Sequence, residues 1–231
     1  MDAYSNSLYN LSNLFYINKN YKKAAFYLEK SIETKKTIKV YYLLACSYFK
    51  LNELEKAEEM FLKVTNLSAY KSKFTLDSFW WLINIYAKTS DKEKKIKYFF
   101  KGLKVDPAFY IKYKWPEGAF NKKEEILIYN YFKNIYSEKD YLNVTLYNSL
   151  IYLCYRLNKE KEVKDYIEEM KTKYKEELDS YYWEIIFNLW KKRFNKARNI
   201  YKEALKKDKN FFKKYTWEEV DDNLLRILKE Y

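Results

Sequence analysis

The chain has 231 residues, 45 Lys and Arg against 32 Asp and Glu for a formal charge of +13, no His, and only two each of Cys, Gly and Pro. The missing His removes the usual general base and the commonest metal ligand, two Gly cannot build a phosphate-cradling loop or a run of tight hairpins, and Cys46 and Cys154, 108 positions apart, have neither metal-ligand nor disulfide-framework spacing. What is left is a helix-rich, reduced chain, long enough for a sizeable core and without obvious chemistry.

From the N-terminus, Leu8, Leu11 and Phe15 fall at i, i+3 and i+7, the apolar stripe of an α-helix. Asn18-Lys19-Asn20 interrupts it as a short helix–helix connection, and Ala24, Leu28 and Ile32 form a second stripe. The pattern returns as Tyr41, Leu44 and Tyr48 followed by Ala57, Phe61 and Val64, with 33 residues from Ala24 to Ala57. A small residue at that place lets two helix backbones cross closely. A third pair has Phe79, Leu82 and Tyr86, then Phe99, Gly102 and Leu103, closed by Asp106-Pro107. Lys95 replaces the Ala there, which predicts a looser crossing or a snorkelling lysine.

Residues 106–121 hold Pro107, Pro116 and Gly118, three of the chain's four Pro and Gly, and read as an irregular boundary. An apolar-periodic helix is predicted from Lys122 to Tyr136. Tyr147, Leu150 and Cys154 with Val163, Ile167 and Met170 form a fourth pair. A fifth has Ala197, Tyr201 and Ala204 on its second helix. Its first helix fits displaced by one, on Tyr182, Ile185 and Leu189, which predicts a turn one residue short near Lys191-Lys192-Arg193. Thr216-Trp217-Glu218-Glu219 is a capping-box pattern, and the helix it starts reads as a terminal cap.

These units resemble the tetratricopeptide repeat, a helix–turn–helix unit of 34 residues. The resemblance implies an all-α, right-handed α-solenoid of antiparallel helix pairs: about five repeats plus an extra helix and a C-terminal capping helix, about twelve helices with essentially no strand. The expected organisation is an N-terminal array of three repeats over 1–105, a linker and extra helix over 106–137, a second array of two repeats over 138–215, and the capping helix over 216–231. A second-order duplication accompanies it. Asp77-Ser78-Phe79-Trp80-Trp81 returns as Asp179-Ser180-Tyr181-Tyr182-Trp183, and Asp106, Phe109, Tyr113, Trp115 and Glu117 return as Asp208, Phe211, Tyr215, Trp217 and Glu219, all 102 residues on.

No catalytic constellation emerges, so no enzyme activity, cofactor or metal is expected. The paired carboxylates Glu58-Glu59, Glu124-Glu125 and Glu168-Glu169 diverge on their helices and read as solvated faces. The two Cys read as packed small hydrophobes. Met1-Asp2-Ala3-Tyr4 has no signal-peptide pattern, and the longest apolar stretch, the nine residues Phe79 to Ala87, is far short of the roughly 20 needed to span a bilayer. A cytoplasmic location without membrane insertion is the expectation.

In tetratricopeptide-repeat arrays the first helix of each pair lines a concave groove. That places Tyr9, Asn13, Tyr42, Phe49, Trp80, Trp81, Asn84, Tyr152, Tyr155 and Trp183 in a partner-binding groove, centred on Trp80, Trp81 and Asn84. The chaperone-binding subtype grips a terminal carboxylate with Lys, Asn and Arg. Here Tyr9, Asn13, Leu43, Asp77 and Trp81 occupy those places, and only Asn13 agrees. The resemblance therefore implies a non-enzymatic adaptor or scaffold holding a peptide or helix of another protein, rather than the acidic tail of a chaperone. RNA binding through Lys and stacked aromatics, or a purely structural subunit of a larger assembly, is the alternative. Against RNA, only four of the basic residues are Arg (156, 193, 198 and 226).

Overall fold

Five non-glycine residues with positive φ, Lys19, Asn52, Ser90, Asn158 and Lys192, mark five places where one helix stops and an antiparallel one begins. At each, the next amide reaches back five residues. Asn20 N–H donates to the Phe15 carbonyl at 2.8 Å, Glu53 to Tyr48 at 2.9 Å, Asp91 to Tyr86 at 3.0 Å, Lys159 to Cys154 at 2.8 Å and Arg193 to Asn188 at 2.8 Å. This Schellman closure satisfies carbonyls at the end of the first helix and turns the chain back within three residues.

The computed structural model describes residues 3–67, 72–116, 118–138, 142–215, 217 and 220–229; they form helices and turns with no strand. The chain divides into two compact units, Met1–Ala119 and Phe120–Tyr231. The first holds three helix pairs: α1 (Ala3–Ile17) with α2 (Tyr21–Thr34), α3 (Ile38–Lys50) with α4 (Leu54–Leu67), and α5 (Lys73–Lys88) with α6 (Lys92–Val105), followed by the single turn α7 (Phe109–Lys112). The second opens on the extra helix α8 (Lys122–Glu138). Two pairs follow, α9 (Val144–Arg156) with α10 (Glu160–Lys173) and α11 (Asp179–Trp190) with α12 (Phe194–Lys207), then the turn α13 (Phe211–Lys214) and α14 (Asp222–Lys229), which packs on α12. This is an all-α helical-repeat solenoid of five pairs, an extra helix and a terminal helix.

Within each unit every second helix also packs on the first helix of the next pair, and the first helices touch one another, α1 with α3, α3 with α5, and α9 with α11. The core sits between the members of each pair. Ala24, Ala57 and Ala197 are fully buried at the crossings, beside Leu28, Phe61 and Tyr201. Burying a Leu or Phe side chain contributes about 1.5–3 kcal/mol, so these few positions dominate each pair.

Several expectations need correction. Leu11 is exposed and Ser12 is buried in its stead, its hydroxyl donating to the Leu8 carbonyl at 2.6 Å; α1 packs chiefly on α2. Lys95 does not snorkel into water. It is buried, and its ammonium donates to the Ala119 carbonyl at 2.8 Å, holding the end of the irregular segment against α6. The fifth turn is not short: Ala197 follows Lys192 by five residues, as Ala24 follows Lys19. The unbroken register instead puts Glu184 and Asn188 where the third pair has Leu82 and Tyr86. Asn188 is buried and donates to its own helix at the Glu184 carbonyl, 2.7 Å away.

The carboxylates are not simply solvated either. Glu124 is buried and accepts from Asn121 N–H at 2.9 Å, while the Asn121 side chain accepts from Glu124 N–H at 3.1 Å, a reciprocal cap on α8. Glu125 is buried under Arg156, whose Nε and Nη2 donate to it at 3.0 and 2.9 Å. Half-buried Glu58 accepts from the Tyr86 hydroxyl at 2.9 Å, and Glu169 accepts from Tyr136. The last helix begins at Asp222 rather than after Thr216; Thr216, Glu218 and Glu219, the residues of the expected capping box, lie outside the described residues, as does Glu117.

Candidate functional site

The site is built on α5. The Ser72 hydroxyl accepts from Thr75 N–H at 3.2 Å and starts the helix. Phe79, Leu82 and Tyr86 are buried and commit one face to the core. Trp80 and Trp81 project beside that face and stay half-buried. The Trp81 indole N–H donates to the Tyr42 hydroxyl at 3.2 Å, and its ring lies 4.7 Å from Phe49 and stacks on Phe61 at 5.9 Å. The Trp80 ring meets Trp81 edge-on at 4.6 Å, stacks on Tyr113 at 6.2 Å, and its N–H donates to the Lys114 carbonyl at 3.0 Å.

Residues 106–115 bring the rest. Asp106 accepts from Ala108 N–H at 2.8 Å and pairs with Lys112 at 3.3 Å, closing the turn that starts α7. Phe109 is fully buried against Gly102, where an added Cβ would stand 2.4 Å from the ring. The Trp115 N–H donates to the Tyr110 carbonyl at 2.7 Å, and the Tyr113 hydroxyl donates to Asp77 at 2.6 Å. Together these residues leave a pocket of about 360 Å³ lined by Tyr42 of α3, by Lys73, Asp77, Trp80 and Trp81 of α5, and by Lys112, Tyr113 and Lys114. Burial raises the Tyr42 phenol, and burial together with the bond to Asp77 raises that of Tyr113, so both remain neutral. The arrangement offers an apolar aromatic wall beside lysine ammonium groups.

Of the groove residues expected from the sequence, Tyr42, Phe49, Trp80 and Trp81 meet in this one cluster. Asn84 is buried, and its side-chain N–H donates to the Trp80 carbonyl of its own helix at 2.7 Å. Tyr9 and Asn13 stand half-buried on α1 and line no part of the pocket. In the second unit Tyr152 leans on the buried Trp183 at 6.3 Å, the Trp183 N–H donates to Asn148 at 2.7 Å, and Tyr155 meets Trp190 at 5.2 Å. Lys73, Asp77, Lys112, Tyr113 and Lys114 are additions; the duplicated Asp-Ser and Tyr-x-Trp positions were the signal that could have found them.

The two copies of that motif serve as internal controls, each read within its own unit. Tyr215 donates to Asp179 at 3.1 Å as Tyr113 does to Asp77, and Trp217 donates to the Phe212 carbonyl at 2.9 Å as Trp115 does to Tyr110. Lys214 pairs with Asp208 at 2.5 Å as Lys112 pairs with Asp106. The difference lies at the indole. Tyr182 replaces Trp80, is buried, and stacks on Tyr215 at 4.7 Å with the rings 10° apart. The first copy keeps an accessible indole where the second packs two phenols together.

The tetratricopeptide-repeat family model matches residues 5–37 and 38–70. No curated protein matches the sequence. Among solved structures, a tetratricopeptide repeat protein from Parabacteroides merdae is 16% identical with a TM-score of 0.48, covering 97% of this chain and 83% of its own. The TPR2AB domain of yeast Sti1 in its pHSP90 complex is 17% identical with a TM-score of 0.42, covering 98% of each chain. YrrB, described as a TPR protein with an unusual peptide-binding site, is 12% identical with a TM-score of 0.38, covering 97% of this chain and 91% of its own. At such distances nothing about this chain's ligand follows from them.

Proposed function

We propose that this chain, whose first two helix pairs match the tetratricopeptide-repeat family model, is a helical-repeat scaffold for protein interaction that acts as a non-enzymatic adaptor and holds a peptide or helix of a partner protein against α5 of its first unit. The observation that carries this reading is the half-buried Trp80 indole in a pocket assembled from α3, α5 and residues 112–114. A tryptophan left accessible beside a packed aromatic cluster offers large contact area at small entropic cost, the usual make-up of an interface anchor. The second copy supports it by contrast, since the same frame there buries Tyr182 under Tyr215.

A protein partner is favoured over RNA by the basic residues, only four of which are Arg, the residue whose flat bidentate fork suits nucleic-acid recognition. No helix among the described residues is long and apolar enough to cross a membrane. The test is affinity capture with the intact chain and with Trp80→Ala, each checked for helical content and cooperative melting. A partner held by the intact chain and weakened about 30-fold, roughly 2 kcal/mol, by Trp80→Ala is the expected result. Equal capture by the folded variant would move the site elsewhere.

A further inference from the structure

Resting on that reading, we propose that the α5 pocket selects an internal acidic segment of its partner: an apolar side chain lies against Trp80 and Tyr113 while flanking carboxylates meet Lys73 and Lys114. Three observations lead here. The pocket wall is lined by three lysines, all exposed at their tips, against one carboxylate, Asp77. Asp77 keeps its charge while accepting from the Tyr113 hydroxyl at 2.6 Å, and Lys112 is paired with Asp106 at 3.3 Å, so Lys73 and Lys114 set a positive balance at the rim. Lys112 and Lys114 come from the irregular segment after α6, not from a repeat helix, and Lys114 is fixed by its own carbonyl accepting from the Trp80 indole at 3.0 Å. That bond ties the backbone at Lys114 to the indole. Charge of one sign around a low-dielectric wall strengthens and orients an opposite charge at the rim.

The wall is open along α5 and offers side-chain ammonium groups rather than amides converging on a single point. It suits side-chain carboxylates spaced around an apolar residue, with no free chain end required.

The experiment is calorimetric titration of the full chain with three hexapeptides blocked at both ends: alternating glutamate and phenylalanine, alternating glutamine and phenylalanine, and alternating lysine and phenylalanine. The same titrations use Trp80→Ala, the double variant Lys73→Gln/Lys114→Gln, and a control double variant Lys202→Gln/Lys206→Gln on the exposed side of α12, which removes the same charge. The glutamate peptide should bind at least 10-fold more tightly than the glutamine peptide, and the lysine peptide weakest of all. Trp80→Ala and Lys73→Gln/Lys114→Gln should each lose about 10-fold or more, and the α12 control should match the parent. Equal binding of the glutamine peptide, still lost in Trp80→Ala, would overturn the acidic selection while leaving the docking reading intact. Glutamate binding that the α12 variant weakens equally is general attraction to a basic chain and overturns the proposal. Failure of all three peptides, or tighter Trp80-dependent binding of an oligouridylate, would overturn both readings together.

Discussion

Gly102 shows how little room one position in the first unit has. Its hydrogen faces the ring of the fully buried Phe109, and a Cβ there would approach that ring to 2.4 Å. Ala204 occupies the corresponding place before Phe211, so the second copy has made the room that the first lacks. Gly102→Ala should gain helix propensity yet destabilise the chain by a net of about 1–2 kcal/mol, because overpacking a closed site outweighs that gain. Thermal melting checks it, and adding Phe109→Leu should restore the midpoint. The acids buried in the core carry a second expectation. Burial raises the Cys46 and Cys154 thiols to about 12, against an ordinary value of 9.0. The folded state thus holds protons that the unfolded chain releases. Their stabilising contribution is complete below about pH 9 and is lost as pH rises towards 12. Melting midpoints should fall across that window, and a disulfide reagent at pH 8 should label neither thiol until the chain unfolds.

At the scale of helices and turns, the sequence announced the pairs because apolar residues three, four and seven apart can share only one helix face. The five turns were legible as interruptions, but their geometry was not, since Lys19 and Lys192 carry no glycine signal for a left-handed residue. The length of the fifth turn was misread for the same reason. Tyr182, Ile185 and Leu189 are buried as read, but Asn188 is buried with them while Glu184 stays half-buried in a pair with Lys171, and the turn keeps the length of the other four. Buried carboxylates such as Glu125 escaped notice because their partner, Arg156, is 31 residues away. Of the site, the aromatic cluster on α3 and α5 was legible, and the contribution of residues 112–114 was not, because a segment between helices has no periodicity to read. A turn prediction follows. Lys192 sits at φ 56°, where a Cβ is strained and Gly is not. Lys192→Gly should stabilise the chain by about 0.5–1 kcal/mol in denaturant titration, and Asn158→Gly by less, since Asn tolerates that region better.

Across the whole molecule, one structural frame occurs twice, and the two copies differ where a ligand would bind. Asp77–Tyr113 and Asp179–Tyr215, Trp115–Tyr110 and Trp217–Phe212 are the same contacts, which fix a short helical turn beside the fifth and eleventh helices. Among their differences, Trp80 is half-buried where Tyr182 is packed under Tyr215. The proposed docking site therefore turns on Trp80. Selection of a phage-displayed random peptide library against the intact chain, with each recovered peptide re-measured on Trp80→Ala and on Tyr182→Ala, tests it most directly. The expected result is a shared motif of an apolar residue among acidic ones, whose binding is lost in Trp80→Ala and retained in Tyr182→Ala wherever that variant melts cooperatively. Recovered peptides that bind the folded Trp80→Ala chain as tightly as the parent would contradict it.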